Sequence, residues 1–123
     1  MRQAKYSLSS PESRILVREA IVDVCKFRFW ILYALHVRTS HVHAIVDAEA
    51  SPSRIFNDWK AYATRALRDD GISAPNRIHW THGGSTRRIQ TSAGLTRAIN
   101  YVLQGQGGPL QAYWSDPRFV PPP

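Results

Sequence analysis

His41-Val42-His43 lies in the run Thr39-Ser40-His41-Val42-His43-Ala44-Ile45-Val46. On an extended strand, side chains two residues apart point to the same side of a sheet. The spacing therefore predicts both imidazoles on one face, with Val42, Ala44 and Val46 on the other, where an apolar layer can hold the strand rigid. Two fixed nitrogen donors on one face make half of a divalent-metal site. Phosphodiester cleavage needs such a Lewis acid on the scissile phosphate and a nucleophile in line with it.

A candidate nucleophile stands further along the chain. Leu95, Ala98, Ile99 and Val102 recur at helical spacing and make one apolar face. Tyr101 falls well off the centre of that face, with Arg97 four residues before it and Gln104 three after. A neighbouring cation or metal favours a phenolate, the nucleophilic form of tyrosine. A lone helical tyrosine is most often structural. Combined with two strand histidines and a polar third ligand from the helix, it completes the parts of a phosphodiester-cleaving site.

The elements that must position these groups can be read from caps and periodicity. Residues 4–8 alternate in character and read as a short first strand. Ser10-Pro11-Glu12 is a helix start, and Leu16, Val17, Ala20, Ile21 and Val24 extend it as an amphipathic helix over 11–26. Residues 30–37 are apolar on both faces and read as an inner strand, joined through Arg38-Thr39-Ser40 to the histidine strand as a hairpin. Ser51-Pro52-Ser53 opens a second helix with an apolar stripe of Ile55, Phe56, Trp59, Ala63, Ala66 and Leu67, closed by Asp70-Gly71. Residues 77–82 and 85–90 flank Gly83-Gly84 as a second hairpin. Residues 92–104 form the third helix, with Gly105 placed to cap it. The order β-α-β-β-α-β-β-α predicts an α+β fold, an antiparallel sheet with helices mainly on one face. Residues 1–116 make one domain, and the proline-rich stretch 117–123 is expected to be a mobile tail.

Composition narrows the partners. A chain of 123 residues with 43% hydrophobic and 20% charged content is one folded domain. Sixteen Lys and Arg oppose nine Asp and Glu, a formal charge of +7. Most of these cations are arginines, which make forked contacts with phosphate. A small basic domain favours an anionic partner, most often nucleic acid. Cys25 is the only cysteine, which excludes a disulfide framework and a thiolate zinc cluster; it reads as a packed helix residue. No segment has the apolar core of a signal peptide or the length of a membrane span, so the chain is expected in the cytoplasm without membrane contact.

His41-Val42-His43 resembles the HUH motif, two histidines around a bulky apolar residue. Asn100-Tyr101-Val102-Leu103-Gln104 resembles the tyrosine helix of the single-tyrosine HUH transposases. These are the bacterial insertion-sequence transposases that act on single-stranded DNA, and their domesticated relatives associated with repetitive extragenic palindromes. The likeness covers nearly the whole chain, including the element order, Trp80-Thr81-His82-Gly83-Gly84-Ser85-Thr86 and the gap from His43 to Tyr101.

The resemblance implies an HUH fold of ferredoxin-like order and a concrete mechanism. His41 and His43 would bind Mg²⁺ or Mn²⁺, and Tyr101 would attack a backbone phosphate of single-stranded DNA beside a hairpin. The products are a 5′-phosphotyrosine and a free 3′-hydroxyl, and reversal with another 3′-hydroxyl joins strands without ATP. It also implies a homodimer, although some relatives act as monomers. One position departs from the family pattern, which generally puts glutamine or asparagine four residues after the tyrosine as third metal ligand; here that residue is Gly105. Gln104 is the nearest substitute on a neighbouring helical face, with Gln106 as the reserve. Arg87, Arg88 and Arg97, with His82, are the groups expected nearest the DNA. His36, at the end of an inner strand, reads as structural, its ring satisfied by a backbone group.

Three rivals compete. A histidine-triad nucleotide hydrolase needs a third histidine where Ile45 stands, and barrel hydrolases with His-x-His need more than 123 residues. A domesticated, catalytically weak or inactive module that only binds hairpin or single-stranded DNA is kept open by Gly105. A purely structural partner-binding domain leaves both the charge and the His-Val-His strand unexplained.

Overall fold

The computed structural model describes residues 10–38, 42–71, 92–104 and 112–117. Helix α1 spans Pro11–Arg28, strand β1 Ile31–Val37, strand β2 Val42–Asp47, helix α2 Pro52–Asp69, helix α3 Ser92–Gln104 and strand β3 Ala112–Ser115. The protein is α+β, and among the described residues three strands form an antiparallel sheet in the order β2-β1-β3. The strand expected at 4–8 and the hairpin at 77–90 lie outside the described residues. Strand β3 departs from the expected order, which ended on α3. Among the described residues, no helix is long and apolar enough to cross a membrane.

Both long helices begin as their caps dictate. Ser10 Oγ accepts from the Ser13 N–H at 3.0 Å, and Ser51 Oγ accepts from the Arg54 N–H at 3.2 Å, each ahead of a proline in the first turn. α1 runs two residues past its expected end. It closes where Trp30 N–H donates to the Cys25 carbonyl at 2.9 Å and Phe29 turns left-handed at φ 61°. α2 stops at Asp70, followed by Gly71 at φ 75°, a conformation glycine adopts without steric cost.

Strand β1 is the centre of the sheet, as an apolar strand with two covered faces should be. Its register with β2 shifts between Leu32 and Ala34, so Tyr33 is an extra residue in a β-bulge. The bulge resets the alternation. Leu32, Leu35 and Val37 join Val42, Ala44, Val46 and Ala112 beneath α1 and α2, in a core with Val17, Ile21, Val24, Trp59 and Leu67. Ala34, with Tyr33 and Ile45, meets Ile99, Val102, Leu95 and Leu103 of α3 in a second, smaller cluster. Two helices thus cover one face and α3 covers the other. Arg28 and Asp58, 3.1 Å apart, tie α1 to α2. β3 is held by pairing with β1 from Ala34↔Ser115 to Val37↔Ala112, and the Asp116 N–H donates to the Tyr33 carbonyl at 3.0 Å.

Candidate functional site

The alternation along β2 divides its residues as its sequence pattern predicts. Val42, Ala44 and Val46 belong to the core under α1 and α2, which leaves His43 and Ile45 for the face that α3 covers. His43 is half-buried and stands opposite His36 in the register of β1 and β2. Directly opposed residues on antiparallel strands have Cβ atoms about 4.5–5.5 Å apart, so these imidazoles are neighbours. On its other side, His36 is in register with Tyr113 of β3. Two imidazoles and a phenol therefore form one row across three strands.

His36 anchors that row. It is 1% exposed, and its ring hydrogen-bonds the backbone of Val102 in the last turn of α3. Carbonyls in a last helical turn lack intrahelical partners, so a side chain from the sheet can satisfy one. Burial pushes the His36 pKa below its usual 6.5, and the charge of Arg38 adds to this; the Val102 bond opposes both. His36 is accordingly a neutral imidazole at pH 7. The backbone partner expected for this histidine is there, and it belongs to the helix that carries the tyrosine.

Tyr101 directly precedes Val102. It is 62% exposed, between Ile99 at 1% and Val102 at 6%. Its ring thus leaves the apolar seam, as the helical spacing predicts. Arg97, one turn earlier on α3, is exposed. Gln104 is the last residue of α3. His41, His82, Arg87, Arg88, Gly105 and Gln106 lie outside the described residues. Among the described residues, no three His, Cys, Asp or Glu side chains converge as a metal cluster, and of the expected ligand set only the His43 side chain is among them.

Cys25 takes no part in this site. It is 2% exposed on the buried face of α1, and burial pushes its thiol up to about 11 against a smaller opposing pull from Trp59. A thiol with so high a pKa is not a nucleophile at neutral pH.

Tyr113 and the docking role of His36 were not foreseen from the sequence. What the sequence did offer was the apolar match across the hairpin: opposing Val37 to Val42 and Leu35 to Ala44 brings His36 opposite His43. No protein-family model, curated protein or solved structure matches this chain.

Proposed function

We propose that this chain is a metal-dependent single-stranded DNA endonuclease and strand transferase whose nucleophile is Tyr101. One observation carries the reading: α3, with Tyr101 exposed on it, is docked through Val102 onto His36, the cross-strand neighbour of His43. A strand histidine and a helical tyrosine thereby belong to one side of one sheet. The formal charge of +7 suits a polyanionic substrate.

The chemistry follows from these groups. The Tyr101 oxygen attacks a backbone phosphorus, losing its proton to solvent water as the new P–O bond forms. The P–O3′ bond breaks, the 3′ oxygen takes up a proton, and the 5′-phosphate remains on the tyrosine. One phosphodiester replaces another, so a second 3′-hydroxyl can reverse the step without an energy source. Arg97, four residues before Tyr101, is suited to pairing with a phosphate oxygen. His41, His43 and Gln104 would hold Mg²⁺ or Mn²⁺, which supplies charge stabilisation at the phosphate. Two imidazoles and a carboxamide oxygen are neutral donors that would leave positions open for the water and phosphate oxygens that Mg²⁺ or Mn²⁺ favours. The half-buried His43 on the face covered by α3 fits that use.

The test is a denaturing gel of the protein mixed with pooled hairpin-bearing single-stranded DNA and Mn²⁺. A covalent protein–DNA band is expected, and Tyr101→Phe should abolish it. Hairpin binding that survives Tyr101→Phe and chelation, with no covalent band from the unmodified chain, would instead select the binding-module reading kept open by Gly105.

A further inference from the structure

On the sheet face opposite His36, a cavity of about 390 Å³ lies between the second half of α1, the start of β1 and the end of β3. That volume is at the small end of ligand sites, which run from about 300 to 1,000 Å³. Cys25 and Leu32, both buried, line its inner side. Trp30 and Trp114 contribute two half-buried indoles, each packed against the core and each lining the cavity. Two polar side chains complete it: Lys26, exposed on α1, and Asp116, 6% exposed after β3. The bond from the Asp116 N–H to the Tyr33 carbonyl fixes that residue to the sheet.

We propose that this cavity is a subsite for one unstacked guanine base of single-stranded DNA, seated against Trp30 and Trp114 and read by Asp116 and Lys26. Flat indole faces take unpaired bases by stacking. The polar pair decides which base. Guanine's Watson–Crick edge presents two adjacent donors, N1–H and the N2 amine, beside the O6 acceptor. A carboxylate has two oxygens and about four acceptor positions, so it can receive both donors, while an ammonium donates to O6. Adenine and cytosine offer one amine beside an acceptor nitrogen, and thymine one N–H between two carbonyls. Each of these can give the carboxylate one donor and accept one bond from the ammonium, but only guanine gives the carboxylate two adjacent donors and still presents an acceptor to Lys26. A quaternary ammonium ion, which indoles and a carboxylate also take, is opposed by Lys26 and by the charge of +7.

The choice of DNA as the ligand rests on the function proposed above; the base preference rests on the cavity alone. The test is fluorescence anisotropy of the full chain with labelled TTGTT, TTATT, TTCTT and TTTTT in EDTA. These strands are too short to form hairpins and are not cut without metal. The guanine strand should bind about tenfold or more tighter than the others. Asp116→Asn should erase that preference. Lys26→Met, on the exposed rim where folding is not at stake, should reduce it about threefold. Circular dichroism establishes that each variant is folded, and Lys26→Met decides the matter if Asp116→Asn is not. Equal affinity for the four strands, or a full guanine preference in either folded variant, overturns the proposal. A guanine preference in a chain that never forms a covalent product would keep the subsite and sink the cleavage reading. A covalent product with four strands bound alike would do the reverse.

Discussion

The sheet face under α1 and α2 buries Val17, Ile21, Val24, Leu35, Val37, Trp59 and Leu67 to 1% exposure or less, whereas the face under α3 buries Ala34, Ile99 and Val102 beside a histidine. The first region is a dense aliphatic and aromatic core spanning two helices and three strands. The second is a thin apolar seam next to a row of imidazoles and a phenol. A polar group is tolerated in a sheet only where it finds a partner, and His36 finds one in the α3 backbone. The fold can therefore carry a row of polar rings on one face because the other supplies most of the burial among the described residues.

Matched truncations test that division of labour. Leu35, at 0% exposure in the larger core, and Ile99, at 1% in the smaller cluster, are equally buried. Leu35→Ala should cost about 3–5 kcal/mol, since its rigid surroundings cannot collapse into the space left behind. Ile99→Ala should cost less, about 2–3 kcal/mol, because a single helix can shift over a thin seam. Urea unfolding of both variants measures the difference. Equal losses would mean that the two faces contribute alike, and the comparison would fail.

Acidification should act selectively on the α3 face. The pKa of buried His36 is below its unfolded value of about 6.5, so the unfolded chain binds the proton first. Stability from this group is fully present above pH ~6.5 and declines as pH falls through the window down to its folded pKa. The melting temperature should drop across that interval, and hydrogen exchange should rise first in α3. His36→Gln should flatten this part of the pH profile, leaving the contribution of the other histidines. A profile unchanged by His36→Gln would remove His36 from the account of how α3 is held.

The helices were the most legible part of the chain because their signals are local. Serine, then proline, then a 3.6-residue apolar stripe marks the starts of α1 and α2, and α3 runs over 92–104 as its spacing indicates. β3 carries no such signal. It has four residues, Ala112–Ser115, and exists through its hydrogen bonds to β1, which only the tertiary fold supplies. The bulge at Tyr33 was equally hidden, since an apolar strand reads the same with or without an inserted residue. Strict alternation would have put Leu32 on the side of Ala34 and His36. At the site, the face of His43 and the outward ring of Tyr101 follow from periods of two and 3.6, but the bond from His36 of β1 to Val102 of α3 does not. His36 was legible as satisfied, not as satisfied by α3.

The smallest expected change in stability belongs to the residue whose removal should matter most for chemistry. His43 is half-buried on β2, and the apolar layer that anchors this strand is made by Val42, Ala44 and Val46 on the other side. His43→Ala trims an imidazole from the face under α3 without opening the larger core, so the unfolding free energy should move by about 0.5 kcal/mol or less. On the proposed mechanism the covalent protein–DNA band should nevertheless disappear, because His43 would be a metal ligand and its neighbour His36 is buried and bonded to the α3 backbone. A calorimetric scan beside the gel assay separates the two effects. A large fall in melting temperature would make His43 a packing residue like His36 and erase the contrast between the faces at the position where it should be sharpest. A stable variant that still forms the band would leave the contrast standing and remove His43 from the mechanism.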